Sequence, residues 1–311
     1  MPEHTIDPLA ADPLAALSAS LAAHVAAAAP LVVSIQRPRR RPCSGTLWRP
    51  DVVIGSEQVF AKAADDGEVV LTDGRRVAAH CAGRDPGTNI LALRLEAPVD
   101  IAAPAAATEP QLGGLALALG AEPGGGGGAT VRLGIVRSLG PAWHSLAGGR
   151  IDRRISLDLR IGRGEEGGPV LDAAGGLLGM STAGPRGRTL VIPAATIERV
   201  LDPLLATGHV ERGWLGLALH PVALHDAAKE AAGHDRGLMV MQVAPDGPAA
   251  KAGVLAGDIL VTVDGASATR PAEIARRFGP DSVGKDIELR LVRSGAPLAV
   301  TVTVTARPSP A

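Results

Sequence analysis

The chain has 311 residues, 46% hydrophobic and 20% charged, the make-up of two or three folded domains and not of a disordered or fibrous chain. Its 31 Lys and Arg against 32 Asp and Glu leave a net charge of −1, and it has two Phe, three Trp and no Tyr. There is no net basic field and almost nothing on which a base could stack, so nucleic acid is not an expected partner.

The first twelve residues carry acids where a secretory signal would carry Lys or Arg, which argues against export and for a cytoplasmic address. The apolar stretch that follows is mostly alanine, contains His24 and ends at Pro30. It reads as too weakly hydrophobic for a membrane span and better as an amphipathic helix with Leu14, Leu17, Leu21 and Val25 at helical spacing. From residue 31 to about 198, short Val/Ile/Leu runs alternate with Gly, Pro and Asp, the pattern of an all-β barrel or sandwich. The Pro/Ala-rich segment 101–114 divides this region into two β units of similar size, and Gly124–Gly128 reads as a loop with no phosphate-binding Lys. Residues 193–206 show helical spacing through Ile197, Val200, Leu201 and Leu204. A last β-rich unit follows, with a tight turn at Asp264-Gly265, a hairpin around Ser294–Pro297, and a helix placing Ile274 and Phe278 four residues apart on one face. Cys43 and Cys81 exclude a disulfide-rich scaffold and an all-cysteine zinc site and leave a single bridge open.

The ordered set SGTLW, NILALRL, TVRLGIVRSLG, GEEGGPVLDAAGGLLGMSTAG, VIPAATIERVL, VERGWLGLAL and APDGPAAKAGVLAGDILVTVDG resembles the HtrA (Deg) family, from about residue 13 to 306. The resemblance implies a mainly β chain: a chymotrypsin-like double β-barrel followed by a PDZ domain. The expected division is an N-terminal extension and helix over 1–30, a trypsin-like domain over 31–199, a linker over 200–212 and the PDZ domain over 213–311.

The family's serine chemistry needs a serine nucleophile, a histidine base and an orienting aspartate. Matched motif by motif, Gln58 stands at the histidine position in Gly55–Val59, Asn89 at the aspartate position in Asp85–Ile90, and Glu166 at the serine position in Gly164–Pro169. An amide has no basic lone pair near neutral pH. Loss of the serine or histidine of such a triad costs roughly 10⁶-fold in turnover. The expectation is therefore that the chain is not an enzyme. Backbone N–H groups of Gly164 and Glu166 are expected to keep the oxyanion-hole position, and Glu166 to fill the reaction centre with its carboxylate hydrogen-bonded to Gln58. Paired-carboxylate chemistry from Glu165 and Glu166 is disfavoured, because neighbouring residues on an extended loop point apart. His80, His144, His209, His220, His225 and His234 are scattered, and no metal-ligand spacing occurs, so neither a metal nor a cofactor is expected.

In the last unit, Gly213, Trp214, Leu215, Gly216 and Leu217 resemble the PDZ carboxylate loop, with Ile274 and Phe278 lining the side-chain pocket; alternatively Trp214 and Leu215 serve the core. The implied function is a pseudoprotease that acts as a peptide-binding adaptor, scaffold or regulator. The alternatives are an active serine endopeptidase and a partner subunit of an active paralogue. Expected partners are peptide or protein C-termini. The resemblance also allows a periplasmic address and trimerisation, but no aromatic precedes Trp48 to support the latter. The basic run Arg37–Arg41 reads as a solvated loop or a contact for an acidic partner.

Overall fold

The computed structural model describes residues 12–60, 66–101, 105, 107–145, 147–224, 229 and 234–308. His225 and part of the 101–114 segment lie outside the described residues. The chain forms two compact units, Met1–Trp143 with Ile151–His209, and His144–Arg150 with Val210–Ala311.

Helix α1 (Pro13–Ala28) is launched by Asp12, whose carboxylate accepts from the Leu14 N–H at 3.0 Å, with proline at the first helical position. The amphipathic reading needs correction: Leu14 is 72% exposed, Leu17 is also exposed, and Ala28 is the buried residue of the helix. The predicted stripe fails because alanine makes the helix apolar on every side. By length and composition Pro13–Leu31 is able to cross a membrane, which corrects its reading as too weakly hydrophobic; an N-terminal signal has the same character.

The first barrel consists of β1 (Val32–Gln36), β2 (Cys43–Arg49), β3 (Val52–Ser56), β4 (Asp66–Leu71), β5 (Arg76–Asp85) and β6 (Ile90–Leu95). It closes in the order β1-β2-β3-β6-β5-β4. Residues two apart on each strand, such as Val33 and Ile35, Val69 and Leu71, or Leu91, Leu93 and Leu95, point into one core. The four-residue helix α2 (Glu57–Phe60) leaves β3 directly. The second barrel contains β7 (Leu115–Ala121) and β8 (Ala129–Gly140), which are joined across the glycine run. Four of those glycines have φ between 72° and 113°, which only glycine adopts without strain. After the small hairpin of β9 (Trp143–His144) and β10 (Arg150–Ile151) come β11 (Arg154–Leu157), β12 (Pro169–Asp172), β13 (Leu177–Ala183) and β14 (Thr189–Pro193). Their ring order is β11-β14-β13-β12-β7-β8. Helix α3 (Ala194–Thr207) buries Ile197, Val200, Leu201 and Leu204, and ends at Gly208, whose N–H donates to the Leu204 carbonyl at 2.9 Å.

The second unit pairs β15 (Gly213–Trp214) with β22 (Thr305–Ala306) beside a sheet of order β16-β17-β18-β20-β21. Its strands are β16 (Leu217–Ala223), β17 (Arg236–Val243), β18 (Ile259–Val263), which also pairs β19 (Ala266–Ser267), β20 (Asp286–Arg293) and β21 (Ala296–Thr303). Short helices α4 (Pro248–Lys251) and α5 (Pro271–Arg277) cap it. The hairpin turn is shorter than predicted. Ser294 and Gly295, both at positive φ, complete it alone, and pairing resumes with Arg293 opposite Ala296. Pro297 is tolerated inside β21 because that strand is an edge.

Candidate functional site

The loop between β11 and β12 carries the Gly164–Pro169 motif and is fixed from both barrels. The Gly164 carbonyl accepts from the Ser44 N–H at 2.8 Å and from its hydroxyl at 2.7 Å, and the Gly167 carbonyl accepts from Thr46 Oγ1 at 2.8 Å. A Cβ on Gly167 would lie 2.3 Å from the Ser44 carbonyl oxygen, and one on Gly168 2.0 Å from that of Leu119. The glycine pair is thus what lets the loop close. Asn89 sits at φ 61° at the end of the β5–β6 turn. That turn is organised by the buried Asp85 carboxylate, which accepts from the Gly87 and Thr88 N–H groups and from Thr88 Oγ1.

These loops bring Gln58, Asn89 and Glu166 together. Glu166 is 3% exposed, and its Oε2 accepts from Gln58 Nε2 at 2.5 Å, the Ala183 N–H at 3.1 Å, Ser56 Oγ at 3.3 Å and Thr182 Oγ1 at 3.4 Å. Thr182 Oγ1 also accepts from Gln58 Nε2 at 3.0 Å and from Asn89 Nδ2 at 2.8 Å, so one hydroxyl uses its donor and both lone pairs. Asn89 Nδ2 donates to Ser56 Oγ at 3.0 Å, and its Oδ1 accepts the Gln58 N–H at 2.7 Å. The network converges several donors on one buried carboxylate, the arrangement such a group requires. Ser56 is a member that motif matching passes over, and Thr182, which lies in the Ser181–Gly184 segment matched to the strand lining the family's substrate cleft, is not expected from that match to bond to Glu166. Both stand inside matched segments, but nothing in a sequence says that a strand hydroxyl will face a loop more than a hundred residues, or sixteen, away.

Glu165 turns away from this cluster. Its carboxylate receives Arg132 Nε at 2.8 and 3.0 Å and the Gly162 N–H at 2.6 Å, so the two glutamates form no acid–base pair. The residues point apart as expected, although the loop is a series of turns and not extended. The N–H groups of Gly164 and Glu166 find no acceptor among the described residues. Burial pushes the thiol of Cys43, beside the loop, up to about 11, and the charge of Glu166 adds to this while Arg37 opposes it. Such a thiol carries almost no thiolate at neutral pH. No disulfide joins Cys43 and Cys81. His80 is exposed on β5, and His24, whose ring lies against Gly175, meets Ser20 at 3.3 Å. Among the described residues no imidazole touches the cluster, and no group of three or more potential metal ligands occurs.

In the second unit, Trp214, Leu215, Gly216, Leu217, Ile274 and Phe278 line one cavity of about 280 Å³, together with Gly213. It lies along β16, one of the two edge strands of its sheet. Ile274 and Phe278 are buried and belong to the core as well as the cavity wall, and Phe278 stands just past the end of α5. Leu215 is core, whereas Trp214 stays partly exposed. The Gly213 N–H is not free to meet a ligand, since it donates to the Phe278 carbonyl at 3.1 Å. The N–H groups of Leu215 and Gly216 have no acceptor among the described residues, and Gly216 has φ 79°. Successive N–H groups in such a turn form a concave anion nest.

Two closed antiparallel barrels with a loop-borne site between them, followed by a peptide-groove sheet, define a trypsin-like domain joined to a PDZ domain. Residues 43–180 match the trypsin-like peptidase domain family and residues 214–304 the PDZ domain family. Among curated relatives, the "Probable periplasmic serine endoprotease DegP-like" of Brucella suis biovar 1 (strain 1330) is 32% identical over 275 residues, covering 86% of this chain and 53% of the relative. The "Periplasmic pH-dependent serine endoprotease DegQ" of Escherichia coli (strain K12) is 33% identical over 244 residues, covering 76% and 53%. The chain thus spans about half the length of these relatives. Among solved structures, "HtrA-type protease AlgW with decapeptide" superimposes with a TM-score of 0.71 at 28% identity, covering 93% of this chain and 99% of that one. The serine endoprotease from Yersinia pestis gives 0.70 at 28%, covering 92% and 97%.

The chain belongs to the HtrA/Deg family. This corrects the expectation that it is not an enzyme, which rested on three side chains alone: relatives matched over most of the chain are named serine endoproteases. Its trypsin-like domain carries the Gln58, Asn89 and Glu166 network described above.

Proposed function

We propose that this HtrA-family protein works by holding the C-terminal segment of a peptide or protein partner in its PDZ groove, as an adaptor or regulator. The observation that carries this is the junction of a free sheet edge, β16, with a cavity of about 280 Å³ and two unengaged N–H groups at Leu215 and Gly216. An extended peptide adds to the edge by backbone hydrogen bonds, its carboxylate enters the nest, and its last side chain meets Ile274 and Phe278. Solved HtrA-type structures titled as decapeptide and tripeptide complexes support peptide capture on this scaffold. The same groove suits a subunit that partners an active paralogue.

The relatives' names favour a second reading, serine endopeptidase activity. In this chain the barrel site supplies a carboxylate, two amides and the hydroxyls of Ser56 and Thr182. The relatives' names also favour a periplasmic address over the cytoplasmic one read from the first twelve residues, and the apolar Pro13–Leu31 segment agrees with export.

One experiment addresses both activities. Labelled peptides ending in an apolar residue are titrated with a free or an amidated C-terminus, and the same samples are followed for cleavage. The binding reading expects the free acid to bind at least about tenfold tighter, and equal affinities would overturn it. Hydrolysis that disappears in Glu166→Ala would assign peptidase chemistry to the barrel site.

A further inference from the structure

The run Arg37–Arg41 leaves β1 as a basic turn, in a chain whose net charge is −1. The fold gathers three of these arginines, Arg37, Arg40 and Arg41, with Arg132 and Arg163 around one cavity of about 620 Å³ in the barrel unit, against only two acids, Glu122 and Glu165. Arg132 is neutralised by Glu165. Arg40, Arg41 and Arg163 are exposed and make no ion pair with any described residue. Arg37 lies with its guanidinium carbon 3.8 Å from the centre of the Phe60 ring, and its Nε is buried without an acceptor. Four guanidinium groups without a carboxylate partner therefore face a single unpaired acid, Glu122.

Pro42, Cys43, Val59, Ala121 and Pro123 give the cavity an apolar floor. A cationic rim over an apolar floor suits neither a bare inorganic anion nor a long phosphate backbone, which needs no apolar surface. It suits a chain that alternates carboxylates with apolar side chains. Guanidinium forks match carboxylates in bidentate geometry, and the floor removes the intervening side chains from water. The loop with Gly164 and Glu165 that walls the cavity also carries Glu166, so the cavity opens beside the hydrogen-bonded cluster. We propose that this cavity binds an acidic peptide segment, its Asp or Glu carboxylates on Arg40, Arg41 and Arg163 and its apolar side chains on the floor. The proposal is independent of the PDZ reading.

The test uses the full chain and two fluorescent peptides with amidated C-termini, one alternating Glu with Leu and the other Gln with Leu, followed by anisotropy at low and at moderate salt. The Glu peptide is expected to bind at least about tenfold tighter than the Gln peptide and to weaken as salt rises. The double variant Arg40→Glu/Arg41→Glu and the single variant Arg163→Glu should each abolish the difference. These side chains are exposed, and unchanged thermal unfolding will verify that the variants fold. Equal affinity for the two peptides, or insensitivity to the charge reversals, overturns the proposal. So does heparin binding without binding of the Glu peptide, which would indicate a general polyanion surface. Displacement of the Glu peptide by an excess of an unlabelled, uncharged apolar peptide with a free C-terminus would place it in the PDZ groove and also defeat the proposal.

Discussion

Gln58 Nε2 and Glu166 Oε2 lie 2.5 Å apart although 108 positions separate them in the chain. The contact joins α2 of the first barrel to the β11–β12 loop of the second, and Thr182 and Ala183 of β13 complete it. A carboxylate that fills this position holds the two barrels' loops in one arrangement through donors from both.

That arrangement makes Glu166→Ala costly. Removing the carboxylate leaves the Gln58 amide and the Ala183 N–H without their acceptor in a buried place, and a loss of about 1–3 kcal/mol is expected in urea unfolding. Glu166→Gln should lose less, since its amide oxygen still accepts. A Gln58→Ala/Glu166→Ala cycle should show coupling of about 0.5–3 kcal/mol, whereas strict additivity would mean the pair contributes nothing.

The sequence makes the two barrels and the last sheet legible because their cores follow a period of two, as in Leu91, Leu93 and Leu95. It makes Gln58, Asn89 and Glu166 legible because each sits inside a matched motif. What it conceals depends on closure in three dimensions. Ser56 looks like an ordinary strand residue, and Thr182 like one that merely lines a cleft, until the loop folds over them. Arg132 and Arg163 show no relation to Arg37–Arg41 until the barrels bring them to one cavity. The α1 stripe misleads because alanine counts as apolar but asks for no burial, so spacing alone cannot tell a packed face from an exposed one.

Cys43 is expected to resist thiol reagents in the folded protein. Burial raises its thiol to about 11, and it lies under β1 with its sulfur 4.0 Å from the Ile35 carbonyl oxygen. At pH 8 about one molecule in a thousand would carry the thiolate, so labelling should proceed first at the partly exposed Cys81, and at Cys43 only on unfolding. Mass-spectrometric mapping after brief alkylation reads the order directly. Rapid native labelling of Cys43 would contradict its burial.

Acid should destabilise both units through two carboxylates. Burial disfavours the charged form of Asp172, but hydrogen bonds from Thr108, Gly176 and Ala174 outweigh it and lower the pKa below its ordinary 3.8. Asp258, 2% exposed, is lowered in the same way: burial opposes, while Arg293 at 2.7 Å through both Nε and an Nη and the Leu255 N–H prevail. A lowered folded-state value means the unfolded chain binds the proton more readily. The stabilisation is therefore complete above the ordinary value and is lost as pH falls through the folded one. Unfolding midpoints should decline below about pH 4 and decline less steeply in Asp258→Asn, which itself should cost about 1–3 kcal/mol at neutral pH. Equal slopes for the parent and the variant would show that Asp258 carries none of the pH dependence.

Gly216→Ala separates the peptide nest from the stability of the domain that bears it. Gly216 stands at φ 79°, and a Cβ there would meet Ala244 Cβ at 3.2 Å and the Trp214 ring at 3.3 Å. The strain of an L residue in this conformation is about 1–2 kcal/mol, small enough for the sheet to survive. Relief must come from rotation of the 215–216 peptide, which turns the two N–H groups away from a common point. Peptide affinity should then fall about tenfold or more while circular dichroism stays that of the parent. The drop should be confined to peptides with a free C-terminus, because an amidated ligand draws nothing from the nest. If the variant binds free-acid peptide as the parent does, the carboxylate is held elsewhere, and Leu215 and Gly216 serve only the turn.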